Sequence, residues 1–195
     1  MRYQKIQMNK GYTLIETMIS VSLFLVIVVS GLGALLNANA LHLKSEDSRS
    51  IMDSLSFVLE DMSRNLRTGY NYQCFIAGAS LSPGTLGAPR SCASGWAVAF
   101  EFAEGNRSSL ADQGVYYVSG GKVFKSTNGA SSFIQLTPDE VVVNTASFSV
   151  LGAEAYPGNL QQPFIIIRLS GVMTSKNITT PFLLQTSVSE RLVDI

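Results

Sequence analysis

Glu16 lies in the stretch "KGYTLIETMISV", Lys10–Val21, which leads directly into an uncharged apolar run. A carboxylate placed in a membrane costs about 2.5–3.5 kcal/mol at the helix centre on insertion scales, and less near the ends. A side chain kept there has two ways out. It can snorkel to the headgroups, which its place near the start of the run allows, or it can meet a charge of opposite sign.

The other residue types capable of chemistry are sparse. Cys74 and Cys92 are the only cysteines, and the stretch between them holds Pro83, Gly84, Gly87 and Pro89. In an oxidising compartment two such cysteines most simply pair, and closing a loop of this size stabilises by about 3 kcal/mol in the chain-entropy model; the alternative is two separate free thiols. The single histidine, His42, is more than thirty positions from Cys74 with no second ligand pair, so no metal site is expected. "SGGK", Ser119–Lys122, lacks the spacing and the following Ser or Thr of a phosphate-binding loop. Glu101 with Glu104, and Glu190 with Asp194, are close enough in sequence to meet, as pairs on a solvated edge. A cation at Asp112, Asp139 or Glu140 has no EF-hand-like spacing behind it. No catalytic constellation emerges, and the expectation is a chain that is not an enzyme and carries no cofactor.

The elements that must position these residues are set by charge and period. Basic and acidic residues balance at 14 each, which gives no hint of a nucleic-acid partner. Arg2, Lys5 and Lys10 nevertheless stand in the first eleven residues without an acid, leaving 11 basic against 14 acidic side chains in the rest. No charged residue occurs from Met18 to Leu36, and about nineteen residues at 1.5 Å rise come close to crossing a bilayer core of roughly 30 Å. The positive-inside rule keeps the basic end in the cytoplasm and exports the chain beyond Asn37. Past the apolar run the helical period continues through Ile51, Leu55, Val58, Leu59, Met62 and Leu66, with no proline before Pro83. One long helix from Tyr12 to about Thr68 is predicted, weakest at Gly31 and Gly33 and ending at Gly69.

After Gly69 the period falls to two. "GWAVAFEF" alternates large apolar with small or charged residues, and "GVYYVSGGKVFKS" holds two short β-rich runs joined through Ser119, Gly120 and Gly121. Further strands are predicted over Phe133–Leu136, Val141–Leu151, Phe164–Val172 and Phe182–Val193, while "ASLSPGTLGAPRSCASG" reads as a loop. The fold class is α+β: a long N-terminal helix, transmembrane over about residues 14–36 and amphipathic beyond, packed on an antiparallel β-sheet head. "ANA", Ala38–Ala40, offers a rival, an ordinary secretory signal with a soluble product beginning at Leu41. The apolar run is longer than the 7–15 residues of a usual h-region, and this rival leaves Glu16 without a purpose.

A short basic leader ending in Lys10-Gly11, an aromatic Tyr12, then Thr13, Leu14, Ile15 and Glu16 directly before an uncharged run: this order resembles the processing site of type IV prepilins and of the pseudopilins of type II secretion systems. Tyrosine stands where phenylalanine is more common. The resemblance implies that a prepilin peptidase of the inner membrane cuts between Gly11 and Tyr12 and methylates the new amino terminus of Tyr12. It further implies that Glu16 pairs with the Tyr12 amine of a neighbouring subunit during filament assembly. The fragments "MSRNLRTG" and "LLQTSVSER" look like those of J-type minor pseudopilins and larger minor pilins; their plainer reading is a polar last helical turn and an edge strand.

The expected organisation is therefore a removed leader over residues 1–11, a helical stem over 12–68 and a β-rich head over 69–195. The resemblance implies a structural subunit, a minor one in a tip or priming complex. Its partners would be other pilin or pseudopilin subunits, prepilin peptidase, an inner-membrane assembly platform and membrane lipid, with energy from a separate cytoplasmic ATPase. Its place would be the bacterial inner membrane, cytoplasmic at the N-terminus, and then a filament in the periplasm or at the cell surface. The alternative is a signal-anchored or secreted β-domain acting as an adhesin or binding module.

Overall fold

Thr13 opens the longest element of the computed structural model, which describes residues 11–106, 108–154, 157, 159–175 and 178–191, without the side chains of Lys44, Asp47 and Ile178. Its side-chain oxygen accepts the backbone N–H of Glu16 at 3.3 Å, satisfying one of the donors that a helix start leaves open. From there α1 runs over Leu14–Thr68, passing Gly31 and Gly33 without a break. The chain divides into two compact units, Met1–Glu46 and Asp47–Ile195.

In the first unit the helix presents apolar side chains on every side: Leu23, Phe24, Ile27 and Leu35 are all exposed. This stretch of helix is long and apolar enough to cross a membrane. Its hydroxyls are turned inward. Thr17 donates to the carbonyl of Leu14 (2.8 Å), Ser20 to Glu16 (2.8 Å), Ser22 to Ile19 (2.9 Å) and Ser30 to Val26 (2.8 Å), the back-bonding available to a hydroxyl that has no water to turn to.

In the second unit the helix becomes amphipathic, burying Ile51, Leu55, Val58, Met62 and Leu66 at steps of four, three, four and four. The antiparallel head is divided between two sheets. One has the order β1-β3-β4-β5-β6, from β1 (Tyr70–Phe75), β3 (Ala97–Glu101), β4 (Gly114–Ser119), β5 (Lys122–Ser126) and β6 (Ile134–Gln135). The other has the order β2-β7-β8-β9, from β2 (Cys92–Gly95), β7 (Val141–Leu151), β8 (Phe164–Ser175) and β9 (Ile178–Ser189). The helical stripe packs into one core with Tyr72, Val98, Phe100 and Tyr116 of the first sheet and Phe148, Ile165, Ile167 and Leu169 of the second. A smaller core lies on the far face of the first sheet, where Phe75, Ala97, Ala99 and Val115 meet Leu86 and Ala130 from the connecting loops.

Local chemistry accounts for the joints. Gly120 and Gly121, at φ +55° and +75°, turn β4 into β5, with Ser119 opposite Lys122; two central residues in the left-handed region suit the right-handed twist of a hairpin. The buried Tyr72 hydroxyl donates to the carbonyl of Leu66 at 2.6 Å, with Gly69 O alongside, and so occupies carbonyls that the helix end leaves open. Two strands lie outside the predicted set. β1 has a register shift between Tyr70 and Gln73, with Asn71 at φ +57°, which breaks the period of two. β2 is four residues of Cys, Ala, Ser and Gly inside the stretch predicted to be loop, with no large side chain to announce it.

Candidate functional site

The residues singled out at the N-terminus lie together at the start of α1. Gly11, Tyr12 and Thr13 precede the helix, and Tyr12 is 82% exposed. Thr13 and Glu16 stand as cap and third residue of the helix, the T-x-x-E pattern of a capping box. Only one half of that box is formed. Thr13 accepts from Glu16 N–H, whereas the Glu16 carboxylate stays exposed, without a hydrogen bond or ion pair among the described residues. The capping signal was legible in the sequence and gives Glu16 a plain local role through its backbone. It leaves the charge unaccounted for.

The structure joins Cys74 to Cys92 in a disulfide with a Cα–Cα distance of 5.7 Å. Cys74 lies on β1, the edge of the first sheet, and Cys92 on β2, the edge of the second. The bond therefore clips two sheets together, beyond closing the loop between them. Gly95 makes room for it: a Cβ there would meet Cys74 Sγ at 2.5 Å and Cys92 Sγ at 3.1 Å.

A polar hub that sequence reasoning missed ties the helix to the first sheet. Lys125 Nζ donates to both carboxylate oxygens of Asp61 (2.9 and 2.8 Å), the Tyr116 hydroxyl donates to Oδ2 (2.7 Å) and Asn65 Nδ2 to Oδ1 (3.1 Å). Burial alone would raise the Asp61 pKa; hydrogen bonds from Lys125 and Tyr116, with the Lys125 charge, outweigh it and hold the carboxyl below its ordinary value. Burial, reinforced by the Asp61 charge, pushes the Tyr116 phenol up, so this group remains a donor. Asp61 and Asn65 sit four apart on one face of a helix, which was readable; that Lys125 and Tyr116 would face them was not.

The remaining candidates separate. His42 pairs with Glu46 at 3.5 Å across one helical turn, both exposed. Lys122 of "SGGK" donates to the carbonyls of Pro138, Asp139 and Val141 (3.1, 2.9 and 2.6 Å), fastening a loop. Glu104 is exposed while Glu101 is fully buried, and the carboxyl group that Glu101 meets is that of Asp112. Asp194, paired with Glu190 on sequence spacing, lies outside the described residues. Among the described residues no three His, Cys, Asp or Glu side chains cluster as for a metal ion. "MSRNLRTG" forms the end of α1 and "LLQTSVSER" the end of β9, and Arg191 N–H reaches Arg67 O at 2.9 Å. Between them a groove of about 560 Å³ is lined by Arg64, Arg67 and Thr68 on one side and Thr186 to Ser189 on the other.

A family model described as the prokaryotic N-terminal methylation motif matches residues 6–32. Comparison with curated proteins returns no match, and comparison with solved structures returns none. The match covers the start of the chain and the apolar part of α1, and none of the β-rich head. It supports a processed chain of the type IV pilin or pseudopilin kind, and with the apolar helix it points to anchoring in a membrane.

Proposed function

We propose that this chain is the precursor of a structural subunit of a type IV pilus or type II secretion filament, cut after Gly11 and N-methylated on Tyr12. The observation that carries this reading is the coincidence of the methylation motif, residues 6–32, with a helix whose apolar residues are exposed on every side. Removal of eleven residues from a chain of 195 leaves 184, beginning with a charged amine at Tyr12. Glu16 lies one helical turn from that amine and carries a carboxylate with no partner in its own chain among the described residues. In a staggered bundle of such helices the Glu16 of one subunit neutralises the Tyr12 amine of the next. Two half-buried opposite charges then lower each other's desolvation penalty, and leaving one of them unpaired is strongly unfavourable.

The assembly platform and prepilin peptidase of the inner membrane are the partners of this reading, and the filament forms in the periplasm or at the cell surface. The subunit is a minor one, acting in a tip or priming complex; the helix end and the terminal strand that resemble minor subunits meet at Arg67 and Arg191. The chain then works by presenting surfaces, without catalysis of its own.

Intact mass and N-terminal sequencing of the protein recovered from native membranes test the proposal. The expected product starts at Tyr12 with one added methyl group and depends on prepilin peptidase. A start at Leu41 would identify a secreted β-domain, and a start at Met1 a plain signal anchor; either result overturns the filament assignment.

A further inference from the structure

The second sheet ends in β9, and its outer edge is open: in the order β2-β7-β8-β9 no strand among the described residues pairs beyond it. An open edge is a row of unpaired backbone N–H and C=O groups, and natural sheets blunt such rows by shortness, proline, charge or a bulge. The first sheet follows that rule, since its edge β6 is two residues long, Ile134–Gln135. β9 follows it only at its start. Pro181 has no N–H to offer there, whereas residues 182–189 contain neither proline nor charge, and their register with β8 runs without a shift. Phe182 and Val188 face the core, which turns Leu183 outward, where it is 78% exposed.

A second wall stands beside that edge. Four consecutive residues, 186–189, line the groove of about 560 Å³ that faces α1. Successive side chains of a strand point to opposite faces, so a groove touched by four in a row runs along the edge of the strand. Across it stand Arg64 and Arg67, one helical turn apart, both exposed and neither in an ion pair among the described residues. Arg191 adds a third basic residue at the same end, where its N–H donates to Arg67 O at 2.9 Å. Glu60 lines the groove one turn further back, so the basic part of the wall is the part toward the helix end.

We propose that the edge of β9 takes an added strand from another protein, an extended acidic segment whose alternate side chains are carboxylates facing Arg64 and Arg67. In this mode the backbone ladder supplies affinity and the alternate side chains supply specificity. Carboxylates two residues apart on the added strand are spaced by about 6.6 Å, and Arg64 and Arg67 by about 4.5 Å of helix rise, a difference that the long arginine stems span. Apolar residues at the intervening positions lie beside Leu183, as cross-strand neighbours do. A second copy of β9 does not fit this description, because its residues 182–189 bring no carboxylate to the arginines. Edge and wall both belong to the head, so the proposal does not rest on cleavage after Gly11 or on filament assembly.

Titration of the synthetic peptide acetyl-Thr-Val-Glu-Val-Glu-Val-Thr-amide into the detergent-solubilised full chain tests the site, followed by calorimetry and by amide hydrogen exchange. The expected result is one peptide per chain, slower exchange over residues 182–189, and an affinity that falls as salt is raised. The same peptide with lysine in place of glutamate should bind about ten-fold more weakly, and Arg64→Glu combined with Arg67→Glu should reverse that order. Both arginines are exposed, so this variant removes no packing from the core. An added strand uses one of its two edges. N-methylation of the valine amides and N-methylation of the glutamate amides should therefore differ, one peptide keeping its affinity and the other losing it. Absence of binding at millimolar peptide overturns the proposal, as do equal binding by the parent and the double variant or equal binding of the two methylated peptides. Self-association of the chain that protects residues 182–189 without peptide would give the edge to a second copy, and overturns it too.

Discussion

Two carboxylates of the head show how neighbours decide what a residue type does. Asp61 is partly buried and has one cation and two further donors around it; Glu101 is fully buried and lies beside the carboxyl group of Asp112 and the carboxamide of Gln113. Their pKa values move in opposite directions: desolvation and the nearby Asp112 raise Glu101, whereas Lys125 and Tyr116 overcome desolvation at Asp61. A depressed folded-state pKa contributes stability that is fully present above the unfolded value and is lost as pH falls through the folded one. For Asp61 that window opens below its ordinary value of 3.8. Asp61→Asn should therefore melt at a lower temperature than the parent at pH 6, and the gap should close as pH is taken well below 3.8. A gap that stayed constant in acid would mean that the hub owes nothing to the charge. None of this was legible from residue types, since Asp61 and Lys125 are 64 positions apart and only the fold brings them to 2.8 Å.

Among the elements, legibility followed side-chain size and period. Strands β3, β4 and β5, the β4–β5 turn and the long strand β7 were readable because large apolar residues alternate and glycines mark the turn. β9 was placed too far along the chain: it begins at Ile178 and ends at Ser189, because Thr179 and Thr180 pair with β8 although their side chains carry little apolar signal. β1 and β2 were missed, and these two are the strands joined by the disulfide. A four-residue edge of small residues gains little from burial, so the covalent bond and the pairing of Cys92 with Val150 and Gly95 with Phe148 hold it in place. Replacing Cys74 and Cys92 together by serine is expected to lower stability by about 3 kcal/mol. The denaturation midpoint in urea should fall accordingly, and the parent treated with reductant should match the double variant. Equal midpoints for parent and variant would show that the two sheet edges hold without their clip.

On the scale of the whole molecule, the chain combines a helix that exposes apolar surface on all sides with a head that buries its own. The first part was legible as an element, because an uncharged run behind a basic flank reads directly off the sequence, and the methylation motif matches residues 6–32. The second part was legible as a class, while its division between two sheets depends on a chain that crosses from β2 to β3 through the single residue Trp96. Assembly is where the proposed role of Glu16 belongs. Glu16→Ala is expected to be cleaved and inserted normally and to enter filaments poorly, as measured by the fraction recovered with sheared or purified filaments. Unimpaired incorporation would remove the charge pairing from the mechanism. The inward-turned hydroxyls of Thr17, Ser20, Ser22 and Ser30 sharpen that expectation. With each of them engaged by its own backbone, the rod from Leu14 to Leu36 offers a neighbour a smooth flank, along which sliding by one turn exchanges one apolar contact for another of similar worth. Such a surface stores almost no positional information, so a single notch at one end is enough to index the whole length.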